Sequence, residues 1–237
     1  MPDAVKELAD AIRAAAASGR ALLLRSGGTK DFYGQSLEGE VLDARGHAGV
    51  VAHEPTELVV TARGGTRLAE LEAVLAEHRQ MLPFEPPHFG PDATVGGAVA
   101  AGLSGPRRQS VGALRDFVLG VRILDGRGRD LTFGGQVMKN VAGYDVSRLM
   151  AGSLGTLGLI LEVSLKVLPI PVAETTLRLE LPEDKAIETM NRWGGKPLPV
   201  SATAWTGGDL AVRLSGAEAA VRAAQAKIGG EVVENAL

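Results

Sequence analysis

Ala21-Leu22-Leu23-Leu24-Arg25-Ser26-Gly27-Gly28-Thr29-Lys30 is an apolar run that stops at a glycine pair. A second pair follows at Thr94-Val95-Gly96-Gly97, continued by Gly102-Leu103-Ser104-Gly105. Consecutive N–H groups in such a turn form an anion nest, and a missing Cβ lets a phosphate come close. Ser26 and Thr29 add hydroxyl donors, and Lys30 adds charge. Two cradles in one chain fit a ligand with a pyrophosphate in its middle. Each pair read alone fits an ordinary turn between strands equally well. A Rossmann fingerprint needs spaced glycines opening a helix. Here the glycines are adjacent, so a dinucleotide would not be held in the NAD manner.

The 237 residues suffice for one large domain, or a medium domain with a small second one. The 25 basic and 28 acidic residues argue against a nucleic-acid surface. No apolar stretch approaches the roughly 20 residues of a membrane span. The N-terminus carries acids where a secretory signal carries bases, so a cytoplasmic protein is expected. The absence of cysteine excludes disulfides, thiol catalysis and Cys-ligated clusters within this chain. All four histidines (His47, His53, His78, His88) fall in the first ninety positions, and no metal site is expected.

The periodicity predicts a helix over 4–17, with Val5, Leu8, Ile12 and Ala16 on one face and Gly19 ending it. Strands are predicted at 21–25, 40–43, 50–53 and 58–61. A helix capped by Thr66 should run to Glu77, followed by an extended 81–84. A tight helix fits 95–101. A hairpin fits 118–124 with 130–133, a short helix 145–150, and an alternating strand 157–168. After Pro169-Ile170-Pro171 the pattern becomes βαββαβ, the ferredoxin-like order. The expected architecture is α+β, with domains at 1–170 and 171–237. Trp193 and Trp205 read as packing residues of the second.

Two further blocks carry a family resemblance: Leu82 to Gly90, and Gly152-Ser153-Leu154-Gly155-Thr156-Leu157-Gly158-Leu159-Ile160. With the glycine turns they resemble the FAD-linked oxidases of the vanillyl-alcohol-oxidase type, which have a PCMH-type FAD-binding domain. Pro55–Leu58, Leu82–Gly90, Gly105–Arg108, Arg115–Gly120 and above all Met138-Lys139-Asn140-Val141-Ala142-Gly143-Tyr144-Asp145 extend the likeness to the FAD-binding subunits of bacterial glycolate oxidases. The resemblance implies a two-lobed FAD domain followed by a shortened ferredoxin-like cap. It implies that Ser26, Gly27, Gly28, Thr29 and Lys30 cradle one side of the pyrophosphate. Thr94, Gly96, Gly97, Gly102, Ser104 and Gly105 would line the other side towards the flavin. Gly158 and Ile160 would meet the adenosine end, and Pro86 and His88 would lie near the flavin. Some relatives attach FAD through a His in the first loop. Gly28-Thr29-Lys30 has none, so FAD is expected to be non-covalent.

Oxidising a 2-hydroxy acid needs a base for the hydroxyl proton and a cation for the carboxylate. Arg107, Arg108, Arg115, Lys139 and Arg148 supply cations. His88 is the only candidate base, and a packing role in its loop competes with that reading. Arg107-Arg108 reads either as a solvated pair or as facing a phosphate or carboxylate. Tyr144 and Asp145 read either as a site or partner surface, or as a helix cap with Tyr144 packed on it. The resemblance implies partners: a catalytic flavin subunit and an iron–sulfur subunit, through which the chain could attach peripherally to the inner membrane. Two other readings stay open: a stand-alone FAD-dependent 2-hydroxy-acid dehydrogenase, and an assembly subunit with a vestigial flavin site.

Overall fold

The computed structural model describes residues 2–36, 38–135 and 144–233. Most of the Met138–Asp145 block therefore lies outside the described residues. Contacts divide the chain into two units, one of residues 1–105 and 113–168, the other of 106–112 and 169–237.

The first unit opens with α1 (Pro2–Ala17). The Gly19 N–H reaches the Ala16 carbonyl and the Arg20 N–H reaches that of Ala15, with Gly19 at φ 66°. This paired closure is the Schellman motif, and its left-handed residue suits glycine. The buried face is Leu8, Ala9, Ile12 and Ala15. Ala16, expected inside, is exposed, because the stripe follows i, i+4, i+7 from Leu8. Next come β1 (Leu22–Arg25) and β2 (Glu40–Asp43), a parallel pair.

β3 (Val50–Glu54), β4 (Val59–Arg63), α2 (Leu68–Glu77), the short β5 (Gln80–Met81) and α3 (Val95–Ala101) follow. Thr66, expected to cap α2, does not. Its hydroxyl accepts the Gly49 N–H at 2.9 Å and donates to the Gly49 carbonyl at 3.1 Å, tying α2's approach to the loop before β3. The extended stretch expected at 81–84 is likewise limited to β5. The single turn α4 (Arg108–Val111) groups with the second unit. Then come β6 (Val118–Leu124), β7 (Asp130–Gly134), the one-turn α5 (Val146–Leu149), β8 (Leu159–Lys166) and β9 (Leu168–Pro169).

The main sheet has the order β3-β4-β8-β6-β7, all antiparallel. β8 is central: Leu159, Leu161, Val163 and Leu165 are buried, and Ile160 on the opposite face is buried too. One core joins α1 to Ala44, Leu124, Leu159 and Leu161. Asp145 caps α5 by accepting the Arg148 N–H at 3.1 Å. Tyr144 does not pack there; it is 96% exposed.

The β6–β7 hairpin turns on Asp125, whose carboxylate accepts the N–H groups of Arg127 and Arg129, each at 2.9 Å, and the Arg129 guanidinium. Chiefly through those backbone donors and Arg129, its carboxyl is held down at about 2, from an ordinary 3.8. A depressed carboxyl stabilises the fold above its unfolded pKa. That contribution should vanish as pH falls from about 4 through about 2. Asp125→Asn should flatten the dependence of Tm on pH in this window and lower Tm itself near neutrality, where the contribution is fully present. An identical acid limb in the variant would contradict the assignment.

The second unit holds β10 (Ala173–Glu180), α6 (Glu183–Gly194), β11 (Val200–Thr206), β12 (Asp209–Gly216), α7 (Glu218–Ile228) and β13 (Glu231–Val233). Its antiparallel sheet, ordered β11-β12-β10-β13, is the ferredoxin-like arrangement. Leu177, Leu210, Val212 and Leu214 form its core with Trp193, Val221 and Ala224. Trp205 is half-buried, and its indole N–H donates to the Leu181 carbonyl at 2.8 Å. Arg107 is buried rather than solvated. It donates to Glu174 at 2.8 Å and Ser215 at 3.0 Å, so the carboxylate it faces belongs to this chain. Arg108 is exposed.

Candidate functional site

The two glycine turns, sixty-eight positions apart, meet. The Ser26 and Thr94 hydroxyls are hydrogen-bonded at 2.7 Å. Thr94 also caps α3, its Oγ1 accepting the Gly97 N–H at 3.2 Å, and its side chain is buried. Such a cap contributes about 1 kcal/mol. Gly27 packs so closely on the chain ahead of α3 that a Cβ there would overlap the Asp92 carbonyl oxygen. The Gly96 N–H bonds to the Gly64 carbonyl at 2.8 Å, and the Gly64 N–H to that of Leu161 at 2.7 Å. A Cβ on Gly64 would in turn overlap the Ile160 carbonyl oxygen. Backbone therefore packs on backbone from the first turn, through α3, to the central strand β8.

Between them lies a groove of about 980 Å³, counted out to its open mouth. Ser26, Gly27, Gly28, Thr29, Lys30, Thr94, Gly96, Gly97, Gly158 and Ile160 all line it. Gly28 takes φ 66°, the left-handed conformation that makes successive N–H groups converge. Among the described residues, the N–H groups of Gly27, Gly28, Thr29 and Lys30 make no backbone hydrogen bond. Burial lowers the Lys30 ammonium below its ordinary pKa, a shift that a bound anion would reverse. Its Nζ lies 3.5 Å from the His88 carbonyl oxygen and 5.8 Å from the Phe89 ring centre. Arg25, also in the lining, is paired with Asp31, and both Nε and Nη2 donate to one carboxylate oxygen. The lining residues thus carry one uncompensated positive charge. Adjacent free donors, a cation and glycine walls are what a phosphate-bearing cofactor requires, so the residues fit one.

Pro86, His88, Gly102, Ser104 and Gly105 do not line this groove. His88 Nε2 lies 3.1 Å from a Glu72 carboxylate oxygen. Gly102 ends α3 at φ 66°, where a Cβ would meet the Gly152 backbone at 2.8 Å. The Ser104 hydroxyl accepts the Leu114 N–H at 2.9 Å. Gly105 donates to the Phe84 carbonyl at 2.8 Å, and a Cβ there would meet the Glu85 carbonyl oxygen at 2.6 Å. In the structure these three shape the loops after α3.

The lining also contains residues that sequence reasoning did not single out, Tyr33, Gly64, Leu154 and Gly155 among them. Gly64-Gly65 directly after a strand is the same signal as the other two pairs. Gly155 lies inside a block whose resemblance had been noted. Leu154 lies in that same block, while nothing local to the sequence marks Tyr33. No His lines the groove among the described residues, and its carboxylate, Asp31, is held by Arg25. The described residues likewise include no group of three His, Cys, Asp or Glu side chains placed to hold a metal. No described helix is long and apolar enough to cross a membrane.

Residues 1–134, which carry both glycine pairs, match the family model described as FAD binding domain. The chain belongs to this family. Within the FAD binding domain family, it is 51% identical over 212 residues to the glycolate oxidase subunit GlcE of Escherichia coli (strain K12). That match covers 90% of this chain and 61% of the relative. A mitochondrial D-lactate dehydrogenase [cytochrome] of Arabidopsis thaliana is 31% identical, over 65% of this chain and 29% of its own length. The chain thus spans about three-fifths of the first relative and less of the second. Among solved structures, an alkyldihydroxyacetonephosphate synthase superposes with a TM-score of 0.73 at 18% identity, over 94% of this chain and 48% of that one. The fold is therefore the PCMH-type FAD-binding fold followed by a ferredoxin-like unit.

Proposed function

We propose that this chain is the FAD-binding subunit of a 2-hydroxy-acid oxidase complex acting on glycolate, with FAD held without a covalent bond. The observation that carries the reading is the 51% identity to a glycolate oxidase subunit across nine-tenths of the chain. Residues 1–170 form the FAD domain, and 171–237 form a substrate-side cap.

In this reading the N–H groups of Gly27, Gly28 and Thr29 hold the pyrophosphate, with Lys30 balancing its charge. Thr94, Gly96 and Gly97 form the opposite wall, Gly158 and Ile160 the adenosine end. Pro86, His88, Gly102, Ser104 and Gly105 stand near the flavin. Because the first turn offers no His, the cofactor is released by acid. Bound FAD supplies a two-electron acceptor and donor that the polypeptide lacks. The chain's own task is to orient the cofactor and shield it from water. Among the described residues its groove holds no free base, so the hydroxyl proton is taken by a partner, a catalytic flavin subunit, with an iron–sulfur subunit as electron acceptor. The complex works on the cytoplasmic side, attached to the inner membrane through the partners.

Alone and loaded with FAD, the chain should oxidise glycolate with an artificial dye at least about a hundredfold more slowly than the assembled complex, since a positioned base supplies that factor or more. Robust turnover by the chain alone would refute the division of labour and favour a stand-alone dehydrogenase.

A further inference from the structure

A second cavity of about 1,220 Å³, again counted to its open mouth, lies in the first unit between α1, the β6–β7 hairpin and β8. It shares no lining residue with the glycine groove. Five cations line it: Lys6, Arg13, Arg63, Arg122 and Arg129. Three are neutralised within the chain. Arg122 is held by Asp130 at 2.7 Å and Glu162 at 2.9 Å, Arg13 by Asp10, and Arg129 by Asp125. Arg63 instead donates to a neutral acceptor, the Ala48 carbonyl, at 3.1 Å. Among the described residues neither Arg63 nor Lys6 has a carboxylate within ion-pair reach.

His47 lines the same cavity, and among the described residues its buried Nε2 has no hydrogen-bond partner. An orphaned polar atom of this kind, beside an unneutralised guanidinium, asks for an occupant. Burial, then Arg63, lowers the His47 pKa, against an opposing pull from Glu162; Arg122 lowers it further and Asp130 raises it. In the tautomer protonated on Nε2, the neutral ring offers one directional hydrogen-bond donor.

We infer that this cavity binds the oxyanion group of a small solute, a phosphate or a carboxylate, with Arg63 supplying the charge and His47 Nε2–H the directional donor. Arg122 with its two carboxylates leaves one negative charge in the wall, so Arg63 and Lys6 together tip the lining to one net positive charge. Lys6, exposed on α1, draws the anion in. The inference rests on none of the flavin chemistry.

The test uses the full chain saturated with FAD, so that the glycine groove is already filled. Imidazole resonances of His47, assigned by their loss in His47→Gln, are followed while inorganic phosphate or malonate is added, with chloride at matched ionic strength as control. Saturable movement with phosphate alone identifies a phosphate site, with malonate alone a carboxylate site, and with both a general oxyanion site. Arg63→Gln should weaken the midpoint by about tenfold or more, as loss of a charged partner does. Lys6→Gln, on the exposed helix face, should weaken it less and serves if Arg63→Gln does not fold. In each variant, retained absorbance at about 450 nm reports an intact flavin site. Resonances that move no further with either anion than with chloride, or an Arg63→Gln protein that folds and binds as the wild type does, would overturn the inference.

Discussion

Gly27→Ala is expected to remove both stability and cofactor from this chain. The position has no room: a Cβ would overlap the Asp92 carbonyl oxygen, which is backbone and cannot rotate away. One strand of chain must then retreat. Either the first turn leaves the groove, or the segment leading into α3 moves. Both motions strain the Ser26–Thr94 hydrogen bond, the direct link between the turns. Overpacking of this kind costs about 1–3 kcal/mol. Displaced N–H groups should also weaken FAD binding by about a hundredfold, equivalent to ~2.7 kcal/mol. Flavin fluorescence quenching and urea unfolding would measure the two effects. Gly46→Ala is the control, since a Cβ there meets nothing within 4 Å. A Gly27→Ala protein with unaltered affinity would show that the turn does not hold the cofactor.

Phe84→Ala should give the largest loss of stability without touching the groove. Phe84 is 1% exposed, and its ring centre lies 5.8 Å from that of Phe117. It anchors the segment from Leu82 to Gly90, and its carbonyl accepts the Gly105 N–H. Removing a buried Phe side chain costs about 3–5 kcal/mol. For a chain of this size that lowers Tm by about 6–20 °C. FAD affinity of the folded fraction should change less than in Gly27→Ala, because Phe84 itself lines no part of the groove and acts only through the loop it anchors. Together the two variants separate the role of the turn from general destabilisation: the first should lose flavin more than stability, the second stability more than flavin.

What could be read from the sequence was local and periodic. The alternation through Leu159, Leu161, Val163 and Leu165 marked β8, and the βαββαβ order after Pro171 marked the second sheet. The glycine pairs were legible as anion cradles because backbone chemistry needs only neighbouring residues. What escaped reading depended on distant partners. Thr66 looks like a helix cap, yet its hydroxyl is claimed by Gly49, seventeen positions earlier. Arg107 looks solvated or ligand-facing, yet Glu174 and Ser215 claim it. Gly102, Ser104 and Gly105, which the likeness places beside the cofactor, also shape the loops after α3 through Gly152, Leu114 and Glu85, contacts that no local signal shows. Tyr33 enters the groove from a loop whose path no periodicity encodes. The Arg63–His47 cavity was invisible because its residues come from helix, loop and four strands.

The most direct test of the central claim is the visible spectrum of the purified chain after incubation with FAD and gel filtration, followed by acid precipitation. The account predicts flavin absorbance near 450 nm at about one equivalent per chain, all of it recovered in the acid supernatant. A protein that elutes colourless, or whose flavin stays with the precipitate, would contradict it.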